Sequence, residues 1–139
     1  AGSQCWRKGL SHAQRFEPQH NCWTRLPDML VERCAASAVA VSGGRVLVCG
    51  GFDRYSAEGS SSECYDPATG RWNLLQPMQH RRSFPCCHAV AGHVFVFGGK
   101  CGSRVLYSVE CYSFATGCWE EAPCMRARRT SFVTMEVML

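Results

Sequence analysis

Three tryptophans, Trp23, Trp72 and Trp119, stand 49 and 47 positions apart, and each lies in a matching neighbourhood. Seven residues before each comes an aromatic: Phe16, Tyr65 or Tyr112. Two before comes Asn21, Gly70 or Gly117, residue types that tolerate positive φ. Six after comes Met29, Met78 or Met125, and ten after comes Arg33, Arg82 or Arg129. Agreement at so many offsets makes the chain an array of one supersecondary unit, and a period near 50 restricts which array.

The unit reads as four short strands. In the best copy these are Cys86 to Val90, Val94 to Phe97, Tyr107 to Tyr112 and Cys118 to Glu121, with a loop at residues 100–106. In the preceding copy they are Ser37 to Val41, Val46 to Gly51, Ser61 to Tyr65 and Arg71 to Leu75. The connections are too short for crossover helices, so each unit is an antiparallel meander. The second strands, Val46-Leu47-Val48-Cys49 and Val94-Phe95-Val96-Phe97, are apolar on both faces. A lone sheet buries one face only; sheets stacked radially bury both. Each tryptophan is expected to anchor a core, where burying roughly 150–250 Å² contributes at most about 4–6 kcal/mol.

Composition narrows the function classes. Hydrophobic residues make up 46% of the sequence, and no run approaches the length of a bilayer span. The net charge of +4 is mild and its basic residues are scattered, which does not argue for nucleic acid. Eleven cysteines, an odd number without any C-x-x-C knuckle, suggest zinc or disulfides less than packing thiols. Cys64 matches Cys111 in the repeat, and Cys49 holds the place of Phe97, behaving as a small hydrophobe. Free thiols point to a reducing compartment, the cytosol or nucleus. No metal site, cofactor or catalytic constellation is expected.

The order of apolar strand, double glycine, glutamate–cysteine–tyrosine and glycine-x-tryptophan resembles the kelch repeat. The residues are Gly50-Gly51, Glu63-Cys64-Tyr65 and Gly70-Arg71-Trp72, then Gly98-Gly99, Glu110-Cys111-Tyr112 and Gly117-Cys118-Trp119. The rival propeller repeat, WD40, has a shorter period and a Gly-His…Trp-Asp signature that is absent here. The resemblance implies an all-β fold of kelch-type propeller blades. Residues 33–81 and 82–128 form two complete repeats, flanked by the end of one blade at 16–32 and the start of another at 129–139. Residues 1–15 carry no repeat signal but leave room for a degenerate piece of the preceding blade. Two complete and two partial blades cannot close a ring, so the chain is expected to be a segment of a longer kelch protein.

The resemblance further implies a protein-interaction module, most like the propeller of the BTB-kelch ubiquitin-ligase adaptors. There the propeller holds the ubiquitination substrate, and the cullin ligase is engaged by domains not found in these residues. An actin-binding scaffold is the alternative, and a part of a kelch-containing enzyme a weaker one. Candidate partner contacts come from two loop sets expected at one end of the blades. After the double glycines lie Arg54, Tyr55, Lys100 and Arg104; in the linkers between units lie Arg33, Arg81, Arg82, Arg128 and Arg129. Arginines suit forked recognition of carboxylates. Arg33, Arg82 and Arg129 recur at one repeat position, so two readings stand for them, blade framework and ligand contact.

Overall fold

The computed structural model describes residues 9–53, 55 and 57–134. Its first sheet is a two-stranded hairpin, β1 (Gln14–Glu17) and β2 (Cys22–Arg25). A four-stranded sheet follows, ordered β3 (Ser37–Val41), β4 (Arg45–Cys49), β5 (Ser62–Asp66) and β6 (Arg71–Leu74). The second four-stranded sheet contains β7 (Cys86–Val90) and β8 (His93–Phe97), then β11 (Val109–Ser113) and β12 (Cys118–Ala122). Between β8 and β11 the chain makes a small hairpin, β9 (Lys100–Cys101) and β10 (Arg104–Val105). Every pairing is antiparallel between sequence neighbours or across that hairpin, the meander expected of propeller blades. Among the described residues the sheets stand in series and close no ring.

Register explains the tryptophan period. Each one sits directly across from its aromatic: Phe16 opposite Trp23, Tyr65 opposite Trp72, Tyr112 opposite Trp119. The ring centroids are 5.2, 5.3 and 5.1 Å apart, tilted alike. Such pairs need the αL turn residue two positions earlier, and Asn21, Gly70 and Gly117 have φ of 48°, 65° and 71°.

Packing between sheets depends on strand alternation. Leu47 and Cys49 of β4 point toward the second sheet, where they meet Val94, Val96, Tyr112 and Trp119, with Met78 sealing the edge. Val46 and Val48, on the other face of β4, join Tyr65 and Trp72 against Ala13, Leu26 and Met29 from the N-terminal hairpin region. Both faces of β4 are therefore used, as its two-sided apolar pattern requires. On β8 only the face bearing Val94 and Val96 is fully buried, while Phe95 and Phe97 remain half-buried.

Trp72 and Trp119 are core anchors, 8% and 5% exposed, but Trp23 is 66% exposed. That corrects the expectation for Trp23, and the cause is positional. The indole N–H of Trp72 donates to Pro27 O (2.9 Å), in the linker before its own sheet. That of Trp119 donates to Ser62 Oγ (3.2 Å) on β5 of the sheet before. A blade's tryptophan is covered by the preceding structure, and no sheet precedes Trp23 among the described residues.

One local expectation changes, and backbone bonds add a detail at the N-terminal end. The loop at 100–106 contains the β9–β10 hairpin, because Gly102 turns the chain at φ 61° while Ser83 exchanges both backbone bonds with Lys100. Residues 10 and 11, outside the repeat as read from side chains, take repeat-equivalent backbone bonds. Leu10, Gly59 and Leu106 carbonyls accept from Arg33, Arg82 and Arg129 N–H groups, and Ser11, Ser60 and Tyr107 carbonyls accept from Met29, Met78 and Met125. These bonds are blind to side-chain identity, so they leave no mark in the sequence.

Candidate functional site at the loop end of the blades

The double glycines bring the two loop sets to one end. Gly50 and Gly51 have φ of 67° and 91°, and Gly98 and Gly99 of 54° and 93°. At Gly51 an added Cβ would lie 2.6 Å from Cys34 O, and at Gly99 2.7 Å from Ser83 O, so any side chain would strike the linker backbone. Gly51 N donates to Arg82 O (2.7 Å) and Gly99 N to Arg129 O (2.9 Å). Each linker is thus bonded both to its own sheet and to the sheet before it.

The recurrent linker arginines lie inside this frame. Arg82, 0% exposed, donates through Nε and Nη2 to Glu110 Oε1 at 3.2 and 3.0 Å. Its Nη1 donates to Gly98 O (2.7 Å) and Ser108 O (3.0 Å), and Nη2 also to Ser108 Oγ (2.9 Å). Arg33 repeats the pattern more sparsely, with Nε on Glu63 Oε1 (3.1 Å) and Nη1 on Gly50 O (2.9 Å) and Ser61 O (3.0 Å). Its Nη2 is buried without a hydrogen-bond partner among the described residues. The carboxylates serve the linkers as well: Glu63 accepts from Leu30 N (2.7 Å), and Glu110 from Gln79 N (2.6 Å) and His80 N (3.2 Å). Buried charges persist when paired with a counter-charge and hydrogen-bonded; Arg82 meets that need with every guanidinium nitrogen, Arg33 with Nε and Nη1, and neither turns a donor face to solvent. Sequence reasoning placed Glu63 and Glu110 only within the glutamate–cysteine–tyrosine strand. Their joint recurrence with the linker arginine was the signal that they are its partners.

Arg129, at the same repeat position, is exposed, and its backbone alone makes the linker bonds. Arg128 lies on the β9–β10 hairpin, Nη1 donating to Val105 O (2.7 Å) with the guanidinium 5.1 Å from the Tyr107 ring centre. Arg81 and Arg104 are exposed, and Lys100 is half-buried in the backbone bridge to Ser83. Tyr55 is 80% exposed at the tip of its loop. That tip is organised by Asp53, whose Oδ1 accepts from Tyr55 N (2.8 Å) and Ala57 N (3.0 Å). Arg54 lies outside the described residues. The loop of the first sheet and the hairpin of the second are tied together, Gly102 N donating to Glu58 Oε1 at 2.9 Å. Tyr55 and Arg104 therefore stand on adjoining, mutually braced loops.

Burial pushes the Cys64 and Cys111 thiols up, away from the thiolate form a nucleophile needs. Among the described residues no three His, Cys, Asp or Glu side chains converge as a metal would require. No helix among them is long and apolar enough to cross a membrane.

With that geometry in place, comparison with known proteins is decisive: residues 33–79 and 81–126 each match the Kelch motif. The chain belongs to the kelch-repeat family. Similar proteins include human Kelch-like protein 33, 30% identical over 108 residues that cover 76% of this chain and 20% of that protein. Kelch-like protein 25 of Xenopus tropicalis is 27% identical over 120 residues, 85% of this chain and 20% of the relative. An F-box/kelch-repeat protein of Arabidopsis thaliana is 31% identical over 101 residues, 71% and 27% of the respective chains. This kelch chain thus spans about a fifth to a quarter of the length of such relatives. The solved structure of YjhT superposes with a TM-score of 0.72 over 86% of this chain and 45% of its own, at 12% identity, and shares the fold. The kelch chain is a protein-interaction module whose blades hold loops at a common end.

Proposed function

We propose that this kelch region captures a protein substrate at its loop end for a cullin-RING ubiquitin ligase, which is engaged through other domains of the complete protein. The observation that supports this reading is the division of labour at that end. The repeated arginines Arg33 and Arg82 are consumed by the frame, while Tyr55 and Arg104 are displayed on braced loops that do not repeat. Loops held by a rigid scaffold are where recognition is normally carried. A tyrosine at 80% exposure and a free guanidinium are the residue types enriched at binding hot spots. Similarity to Kelch-like and F-box/kelch-repeat proteins favours the adaptor role over a cytoskeletal one.

Tyr55, Arg104, Arg81 and Lys100, with Arg54 beside Tyr55 in sequence, form the proposed contact set; Arg128 and Arg129 border it. The chain itself carries out no chemistry in this reading, and the protein works in the cytosol, with the nucleus a second compartment. The test is co-purification from cells of the complete protein. A cullin should accompany it, and a bound partner should gain ubiquitin when the protein is overproduced. Salt-sensitive cosedimentation with actin filaments and no associated cullin would overturn the reading in favour of a scaffold.

A further inference from the structure

Where the two four-stranded sheets meet, Cys49 Sγ at the end of β4 lies 3.1 Å from Cys87 Sγ on β7. The contact joins neighbouring blades, 38 residues apart in sequence, and β7 is held there by Cys87 N donating to Ser37 Oγ of β3 (3.1 Å). Bonded disulfide sulfurs stand about 2.0 Å apart, so the two need approach by only about 1 Å. Cys49 is fully buried, and Cys87 is half-buried. Cys86, one residue earlier, points to the opposite face of the sheet, its Sγ 3.4 Å from Thr134 Oγ1.

We propose that Cys49 and Cys87 are a redox-active pair which a peroxide converts into a reversible disulfide between the blades. The environment assigns the roles. The hydrogen bond with the Cys49 thiol lowers the pKa of Cys87 against the opposing effect of burial, aided by Ser37 and then by the charge of Arg82, whereas that bond and burial hold Cys49 well above its ordinary value. Cys87 is therefore the sulfur that attacks. Its thiolate displaces hydroxide from a peroxide oxygen as the O–O bond breaks, forming a sulfenic acid. Cys49 sulfur then attacks Cys87 sulfur, the S–O bond breaks and a second hydroxide leaves. The two thiol protons complete two waters, so two thiols and one hydrogen peroxide give one disulfide and two waters. The bridge would close next to Gly50 and Arg82, fixing two sheets together at the end that carries the loops.

Peptide mapping of the complete protein tests this. The native protein is treated with dilute hydrogen peroxide, quenched, denatured in excess iodoacetamide and cut with trypsin without reduction. Peptide 46–54 contains Cys49 alone, and peptide 83–100 contains Cys86 and Cys87. The expected result is a linked 46–54/83–100 species that replaces most of the alkylated 46–54 peptide and vanishes with dithiothreitol. Tandem fragmentation should place the link on Cys87 in the unmodified protein, so the answer does not depend on a variant folding. Cys86→Ser should keep the link and Cys87→Ser should abolish it. Recovery of Cys49 in its alkylated form after peroxide, or a link from it to any other cysteine, would overturn the proposal.

Discussion

Arg81 and Arg82 are adjacent in one linker and share a side-chain chemistry, yet their circumstances are opposite. Arg81 is exposed; Arg82 is wholly buried and spends its guanidinium on Glu110, Gly98 and Ser108. The difference comes from the repeat. A residue whose partner recurs in both four-stranded sheets, as Arg33 with Glu63 and Arg82 with Glu110, belongs to the frame. A residue without such a partner is free to vary and to meet something outside the molecule. Recurrence of an arginine together with its carboxylate here singles out structural residues, and Arg129, which recurs without a carboxylate partner, is exposed.

The sharpest way to break this comparison is to remove a frame carboxylate. Glu110→Ala leaves Arg82 buried without its counter-charge and should cost about 3–5 kcal/mol in denaturant unfolding. Glu63→Ala should cost less, since Arg33 has fewer bonds to lose and already carries an unpaired Nη2. An equal or reversed order would mean that the two pairs are not graded by their hydrogen bonding. Trp119→Ala should also cost about 3–5 kcal/mol, whereas Trp23→Ala should stay below about 1 kcal/mol because the side chain is mostly in solvent. Unfolding midpoints of the two variants side by side would reveal whether the preceding blade, rather than the sheet itself, supplies the anchoring. Ser62→Ala, which strips Trp119 of its acceptor, should cost about 0.5–1.5 kcal/mol. At the small end, Arg81→Ala and Arg104→Ala should move stability by no more than about 0.5 kcal/mol.

Much of the frame was legible in the sequence because it rests on side chains at fixed offsets. The strands Ser37–Val41 and Cys86–Val90 fall where alternation and turn residues place them. The tryptophan–aromatic pairs follow from the seven-residue offset and an αL turn. What escaped has physical reasons. The bonds of Leu10 and Ser11 are made by backbone, which carries no residue signature. The arginine–glutamate pairs join residues 30 and 28 positions apart, so their spacing shows no local pattern. Trp23 shares its local motif with Trp72 and Trp119 but not their burial, because burial is contributed by a neighbour and the motif describes only the sheet itself. Of the proposed contact residues, the sequence indicates that Tyr55 and Arg104 lie in non-repeated loops. That Glu58 and Gly102 clasp those loops together depends on a contact across 44 positions.

The central claim, that partner recognition belongs to the non-repeated loop residues and not to the recurrent arginines, is tested most directly by one paired measurement. In the complete protein, Tyr55 and Arg104 are changed together to alanine, and affinity for a purified partner is measured alongside the unfolding midpoint. The expected result is at least a tenfold loss of affinity, about 1.4 kcal/mol, with an unchanged midpoint. Unaltered affinity in a stably folded variant would contradict the account.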